Sequence, residues 1–205
     1  MYDITRPLGP ATPPWPGDPP PHFEWAARRS EGSPVNVSVM RISAHSGTHA
    51  DAPYHVADSG ARIGELPLEP FLGPALVVEV TGSSIDARSA RSALDSSPRP
   101  MRLLFRTGAW TSPEAFPIDF AALEPEAADL LVEAGVRLVG TDAPSIDRFD
   151  STELPAHHRL AAAGIVILEN LLLEAIEADI YELIALPLRL IESDGSPIRA
   201  VLRRP

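Results

Sequence analysis

Short apolar runs separated by proline-rich connections, with a few helix-like stretches between them, set the rhythm of this chain. Ala75-Leu-Val-Val-Glu-Val80 is close to continuously apolar, the pattern of a strand covered on both faces. Met101–Thr107, Val136–Gly140 and Ile165–Leu168 read as further strands. Val35-Asn-Val-Ser-Val-Met-Arg-Ile42 instead alternates, which predicts a half-buried strand within Val35–Ala44. Its expected partner is His22–Trp25, across the polar connection Arg28–Pro34. Tyr2–Thr5 predicts a short first strand, and Ile180–Leu188 and Ile198–Leu202 predict closing strands around an Asp194-Gly195 turn.

Three segments read as helices. Asp86–Leu94 offers Asp86 as an N-cap. Glu124–Gly135 has Pro125 at the first helical position, acids in its first turn and Gly135 as a C-terminal cap. A third begins near Pro155 and stops before Gly164. The segment Gly60–Pro74 reads as loop, with Leu66, Leu68 and Leu72 spaced to pin it to the body. By pattern alone the fold is α/β or α+β, and the absence of repeats and linkers predicts one domain over residues 1–205.

Composition narrows the function classes. The 205 residues carry a formal net charge of −11 with no basic run, which argues against nucleic acid or an anionic membrane as partner. With no cysteine there is no disulfide, thiolate ligand or cysteine nucleophile. No apolar run approaches a membrane span, and the N-terminus lacks a signal-peptide layout, so a cytoplasmic location is expected. The 23 prolines are spread along the chain and predict rigid loops; only Ala11–Pro21 is dense enough in proline for an extended segment.

The chemistry is concentrated in Ser43-Ala-His-Ser-Gly-Thr-His-Ala-Asp-Ala-Pro-Tyr-His55, which places His45, His49, Asp51 and His55 within eleven residues of a chain with six histidines. Imidazole and carboxylate together suit zinc, manganese or iron(II), and an open position on such an ion activates water. The spacing differs from the helical H-E-x-x-H pattern, so spacing alone leaves the chemistry unassigned. Glu169, directly after Ile-Val-Ile-Leu, is either a paired or coordinated buried carboxylate or the start of a helix favouring its N-terminal dipole. His157 competes with the adjacent His158, and spacing does not choose between them. Trp15 in Pro-Trp-Pro-Gly either plugs a core edge or walls a pocket. Asp142 and Asp147 read as turn residues or supports for other groups, and no G-x-S-x-G elbow is present.

The stretch His45-Ser-Gly-Thr-His-Ala-Asp-Ala-Pro-Tyr-His55 resembles the H-[ST]-G-[TA]-H-x-D-x-P-x-H signature of the metal-dependent cyclase-like hydrolases, and most of all the bacterial kynurenine formamidases. Trp15-Pro-Gly-Asp18, Gly32–Asn36, Gly140–Asp147, Ala156-His157, Ile167–Glu169 and Tyr181–Leu188 extend the likeness over essentially the whole chain. The resemblance implies an α/β fold, a compact β/β/α domain with a mixed barrel-like sheet and flanking helices, assembled as a homodimer or larger oligomer. It implies two Zn2+ per chain, with Mn2+ as the alternative: one held by His45, His49 and Asp51, the other by Asp51, His157 and Glu169. The family's histidine–glutamate spacing selects His157 over His158. Trp15 then lies against an aromatic formamide substrate, and His55 is left to move protons, for which an ordinary histidine pKa near 6.5 is suited. The implied reaction is hydrolysis of N-formyl-L-kynurenine to L-kynurenine and formate in tryptophan degradation. The competing expectations are a related amide or lactam hydrolase, such as an isatin hydrolase, and a non-catalytic metal-binding protein.

Overall fold

A computed structural model describes residues 1–95, 100–112 and 115–204. In chain order the elements begin with β1 (Tyr2–Asp3), β2 (His22–Ala27), β3 (Val37–Arg41), β4 (His49–Asp51), β5 (Leu72–Glu79), β6 (Ser84–Ile85) and α1 (Ala87–Leu94). They continue with β7 (Arg102–Arg106), β8 (Ala122–Leu123), α2 (Pro125–Glu133), β9 (Leu138–Thr141), α3 (Pro155–Ala162) and β10 (Val166–Glu169). The last are β11 (Ile180–Ile184), β12 (Gly195–Pro197) and β13 (Val201–Arg203). Among the described residues no helix is long and apolar enough to cross a membrane.

Nine strands form one mixed α/β sheet in the order β1-β13-β11-β5-β7-β9-β10-β4-β12, curled into a half-barrel. Its centre, β5-β7-β9-β10, is parallel, and the flanking pairs are antiparallel. Parallel neighbours need crossovers, and α1, α2 and α3 lie within the three that join the central strands. Alternation along the strands then sorts the core. Leu103, Phe105, Val139 and Ile167 pack with the helices, while Leu104, Leu138, Val166 and Leu168 fill the other face with Ile4, Phe71 and Leu183. The helix ends follow the sequence: Asp86 accepts from the Ser89 N–H at 2.8 Å, and Gly135 closes α2 with φ of 73°.

Several expectations are corrected. β3 is shorter than Val35–Ala44, and none of its residues is buried: Val37, Val39 and Met40 are exposed, as is Trp25 on β2. Among the described residues β2 and β3 pair only with each other, and their alternation has no body of the chain to face. Leu66 packs on the core as expected, but Leu68 and Leu72 are exposed, and Ile63 and Phe71 complete the anchoring of the 60–74 loop. No helix follows Glu169, because Asn170 turns the chain with φ of 58°. Gly195 lies within a strand, β12, in place of the expected turn.

Arg102 joins the central sheet to the loop before β5. Its guanidinium is buried and donates to the carbonyls of Pro70 at 2.6 Å, Glu69 at 2.5 Å and Pro74 at 3.4 Å. These oxygens lie where the chain turns into β5, and Gly73 accommodates the guanidinium with φ of 117°. Arg102→Met keeps most of the side-chain bulk and strips the donors. It is expected to lower stability by about 2–3 kcal/mol, read from the midpoint of urea unfolding.

Candidate metal centre and substrate cavity

β4 is inserted between β10 and β12, with His49 opposite Glu169 and Asp51 opposite Ile167. Alternation turns Ala50 into the apolar core and leaves His49 and Asp51 on the opposite face of the strand. Glu169 ends β10 beside them, and His157 reaches the same point from the first turn of α3. His49, Asp51, His157 and Glu169 are each at most 4% exposed.

Contacts among these four are not ordinary hydrogen bonds. His49 Nε2 stands 3.3 Å from Asp51 Oδ1 and 3.4 Å from Glu169 Oε2. His157 Nε2 stands 3.4 Å from Asp51 Oδ2 and 3.3 Å from Glu169 Oε1. His49 Nε2 and Asp51 Oδ2 are buried without a hydrogen-bond partner. Donors bonded to a tetrahedral ion at about 2.0–2.1 Å are separated by about 3.3–3.4 Å, so these facing nitrogen and oxygen atoms have a spacing that suits a divalent ion. Among the described residues three groups, His45–His49–Asp51, Asp51–His157–Glu169 and, at the rim, His45–His55–Asp194, each have donor atoms within 4.8 Å of one another.

The outward ring nitrogens are fixed. His49 Nδ1 donates to the Gly47 carbonyl at 2.9 Å, and His157 Nδ1 to Asp147 Oδ2 at 2.7 Å, so each Nε2 turns inward. The Asp147 carboxylate also accepts from the N–H groups of Ala156 and His157, satisfying the open start of α3. Glu169 Oε1 accepts from the Ile146 N–H at 2.7 Å. Asp142 stands apart from the cluster and takes the N–H groups of Thr107 and Gly108.

Without a cation the acids and histidines neutralise one another. Burial lowers the His49 pKa, but the Asp51 and Glu169 carboxylates outweigh it and push the ring up to about 10. Burial likewise opposes protonation of His45, yet its bonds to Asp194 and Asp51 raise it to about 9. Burial raises Asp51, and the surrounding histidines more than reverse this, holding it well below the usual carboxylate range. An entering cation takes the place of the ring protons, so binding here releases protons.

His45 sits at the rim, its Nδ1 2.9 Å from Asp51 and its Nε2 2.9 Å from Asp194. His55 lies on the helical turn Pro53–His55, its ring centroid 4.1 Å from that of His45. A cavity of about 460 Å³ opens over these groups. Trp15 and Phe116 form part of its wall, in edge-to-face contact at a ring-centroid distance of 5.3 Å, and Phe149 packs tilted against Trp15 at 5.2 Å. The structure thus brings Trp15, His45, His49, Asp51, His55, His157 and Glu169 to one place. Sequence reasoning missed Phe116, Phe149 and Asp194. The two phenylalanines lie in loops without a periodic pattern, and Asp194 beside a glycine signals only a turn.

Residues 2–148 match the Cyclase family model. The chain is 45% identical to a kynurenine formamidase from Salinibacter ruber over 99% of its own length and 97% of the relative's. It superposes with TM-score 0.83 on a predicted metal-dependent hydrolase from Bacillus stearothermophilus, 30% identical, covering 98% of this chain and 96% of that one. An isatin hydrolase A from Labrenzia aggregata shares the fold with TM-score 0.83 at 24% identity, covering 98% of this chain and 91% of that one. With its signature histidines and aspartate gathered around one buried cluster, this chain belongs to the Cyclase family of metal-dependent cyclase-like hydrolases.

Proposed function

We propose that this protein hydrolyses N-formyl-L-kynurenine to L-kynurenine and formate, using two zinc ions per chain. The observation that carries the reading is the pair of donor groups sharing Asp51 beneath an aromatic-walled cavity, in a chain so similar to a kynurenine formamidase. His45, His49 and Asp51 would hold one ion; Asp51, His157 and Glu169 the other. When bound, zinc supplies Lewis acidity, which makes water a stronger nucleophile near neutral pH and offsets charge on a carbonyl oxygen.

The remaining steps belong to the chain's own residues. Trp15 and Phe116 take the substrate's aromatic ring and exclude water from one side of the cavity, with Phe149 packed against both rings. His55 accepts the proton of the attacking water and returns one to the departing aromatic amine as the C–N bond breaks. Asp147 and the Gly47 carbonyl keep His157 and His49 oriented throughout. The working assembly in this reading is a homodimer, supported by the exposed Trp25, Val37, Val39 and Met40 on the β2–β3 hairpin.

Assay of the purified, zinc-loaded protein should show turnover of N-formylkynurenine; turnover of isatin in its place would overturn the substrate assignment. Elemental analysis should find one ion fewer per chain in His157→Ala and Glu169→Ala, and full retention in both would refute the paired site. Trp15→Ala is expected to raise KM for N-formylkynurenine more than for a small formanilide, whereas equal effects would mark a packing role. His55→Ala should keep its metal and lose about 10²–10⁴-fold in kcat; metal loss would instead make His55 a ligand.

A further inference from the structure

His55 is a partly exposed side chain on a single helical turn, and a proton carrier so placed needs something to fix its ring. Its Nδ1 lies 3.1 Å from Asp194 Oδ2, and among the described residues no other group hydrogen-bonds the ring. A carboxylate only accepts, so this contact requires a proton on Nδ1, and in the neutral ring the lone pair is then on Nε2.

The backbone holds the two residues in register. The Ala52 N–H donates to the Asp194 carbonyl at 2.9 Å, and the His55 N–H donates to the Ala52 carbonyl at 2.9 Å. Gly195 pairs with Asp51 across the β4–β12 ladder. A Cβ on Gly195 would stand 3.0 Å from both the Ala50 carbonyl and His45 Cε1, so glycine lets the strand carry Asp194 this close. The Asp194 carboxylate is thereby built on the strand beside the metal motif, although more than a hundred residues separate them in sequence.

We propose that Asp194 is a positioning residue that takes the Nδ1–H of His55 and so selects the tautomer and ring orientation in which Nε2 exchanges protons with substrate. This rests on the proton-transfer role proposed above for His55. Asp194 also receives His45 Nε2, so its alternative roles are anchoring that ring or joining His45 and His55 around an ion.

A double-mutant cycle separates these roles, with Asp194→Ala, His55→Ala and the double variant prepared with zinc and assayed on N-formylkynurenine. Asp194→Asn, which has nearly the same volume, serves as a second variant should the alanine fail to fold. The expected result is full metal content, KM within about twofold of the parent, and kcat reduced about 10–10²-fold by Asp194→Ala. In the His55→Ala background the same change should cost less than about twofold, because it acts through a ring that is gone. ¹⁵N spectra of labelled histidine should place the His55 proton on Nδ1 in the parent and lose that signature in the variant. Metal loss, an unchanged kcat, or a full second loss in the double variant would overturn the proposal. If His55→Ala alone keeps its kcat, the proton-transfer reading fails first, and the inference about Asp194 falls with it.

Discussion

A carboxylate buried in the company of three histidines is the constraint around which this fold is arranged. Asp51 sits on a three-residue strand with both oxygens directed at imidazole nitrogens, and neither oxygen is supplied with a backbone donor. An isolated charge in that position would be prohibitive, so the structure must bring compensating groups to it from elsewhere. It does so with His157 from the start of α3 and with His45 and His49 from the same motif; His49 and His157 also face the second carboxylate that β10 adds, Glu169. The glycine in β12, which leaves room for His45, and the capping of α3 by Asp147, which holds the His157 ring, both serve to place an imidazole against one carboxylate.

The same economy governs the supporting groups. Asp147 satisfies two open N–H groups at the start of α3 and holds the His157 ring with the same carboxylate. Leu154, just before that helix, adopts φ of 43°, a conformation few non-glycine residues accept. The strain falls at the turn that delivers His157, where a displaced helix start would move the ring away from Asp51 and Glu169.

Much of this was legible in the sequence because its causes are local. The apolar runs that became β5, β7, β9 and β10 carry their burial in their composition, and Asp86, Pro125 and Gly135 announce helix ends through their own backbone chemistry. The signature from His45 to His55 is legible for the same reason, since its donors are close in sequence. What stayed hidden depends on distant partners. The alternation of Val35–Ile42 signals a buried face whichever body covers it, and among the described residues none does. Asp194 acquires its partners only through the β4–β12 ladder, and Phe116 and Phe149 meet Trp15 across loops that no periodicity connects.

The position of β4 has a consequence for how the protein reaches this state. All of its ladder partners lie in β10 and β12, more than a hundred residues further along the chain. The loop that must close before His49 meets Glu169 is therefore among the longest in the fold, and its ordering entropy precedes any gain from pairing. The helix-crossover core of β5, β7, β9 and β10 can assemble from near neighbours while β4 is still unpaired. Capture of an ion by Asp51, His157 and Glu169, which needs donors from β4, α3 and β10, would follow that pairing, and a cation bound there would close the chain upon itself much as a crosslink between distant segments does.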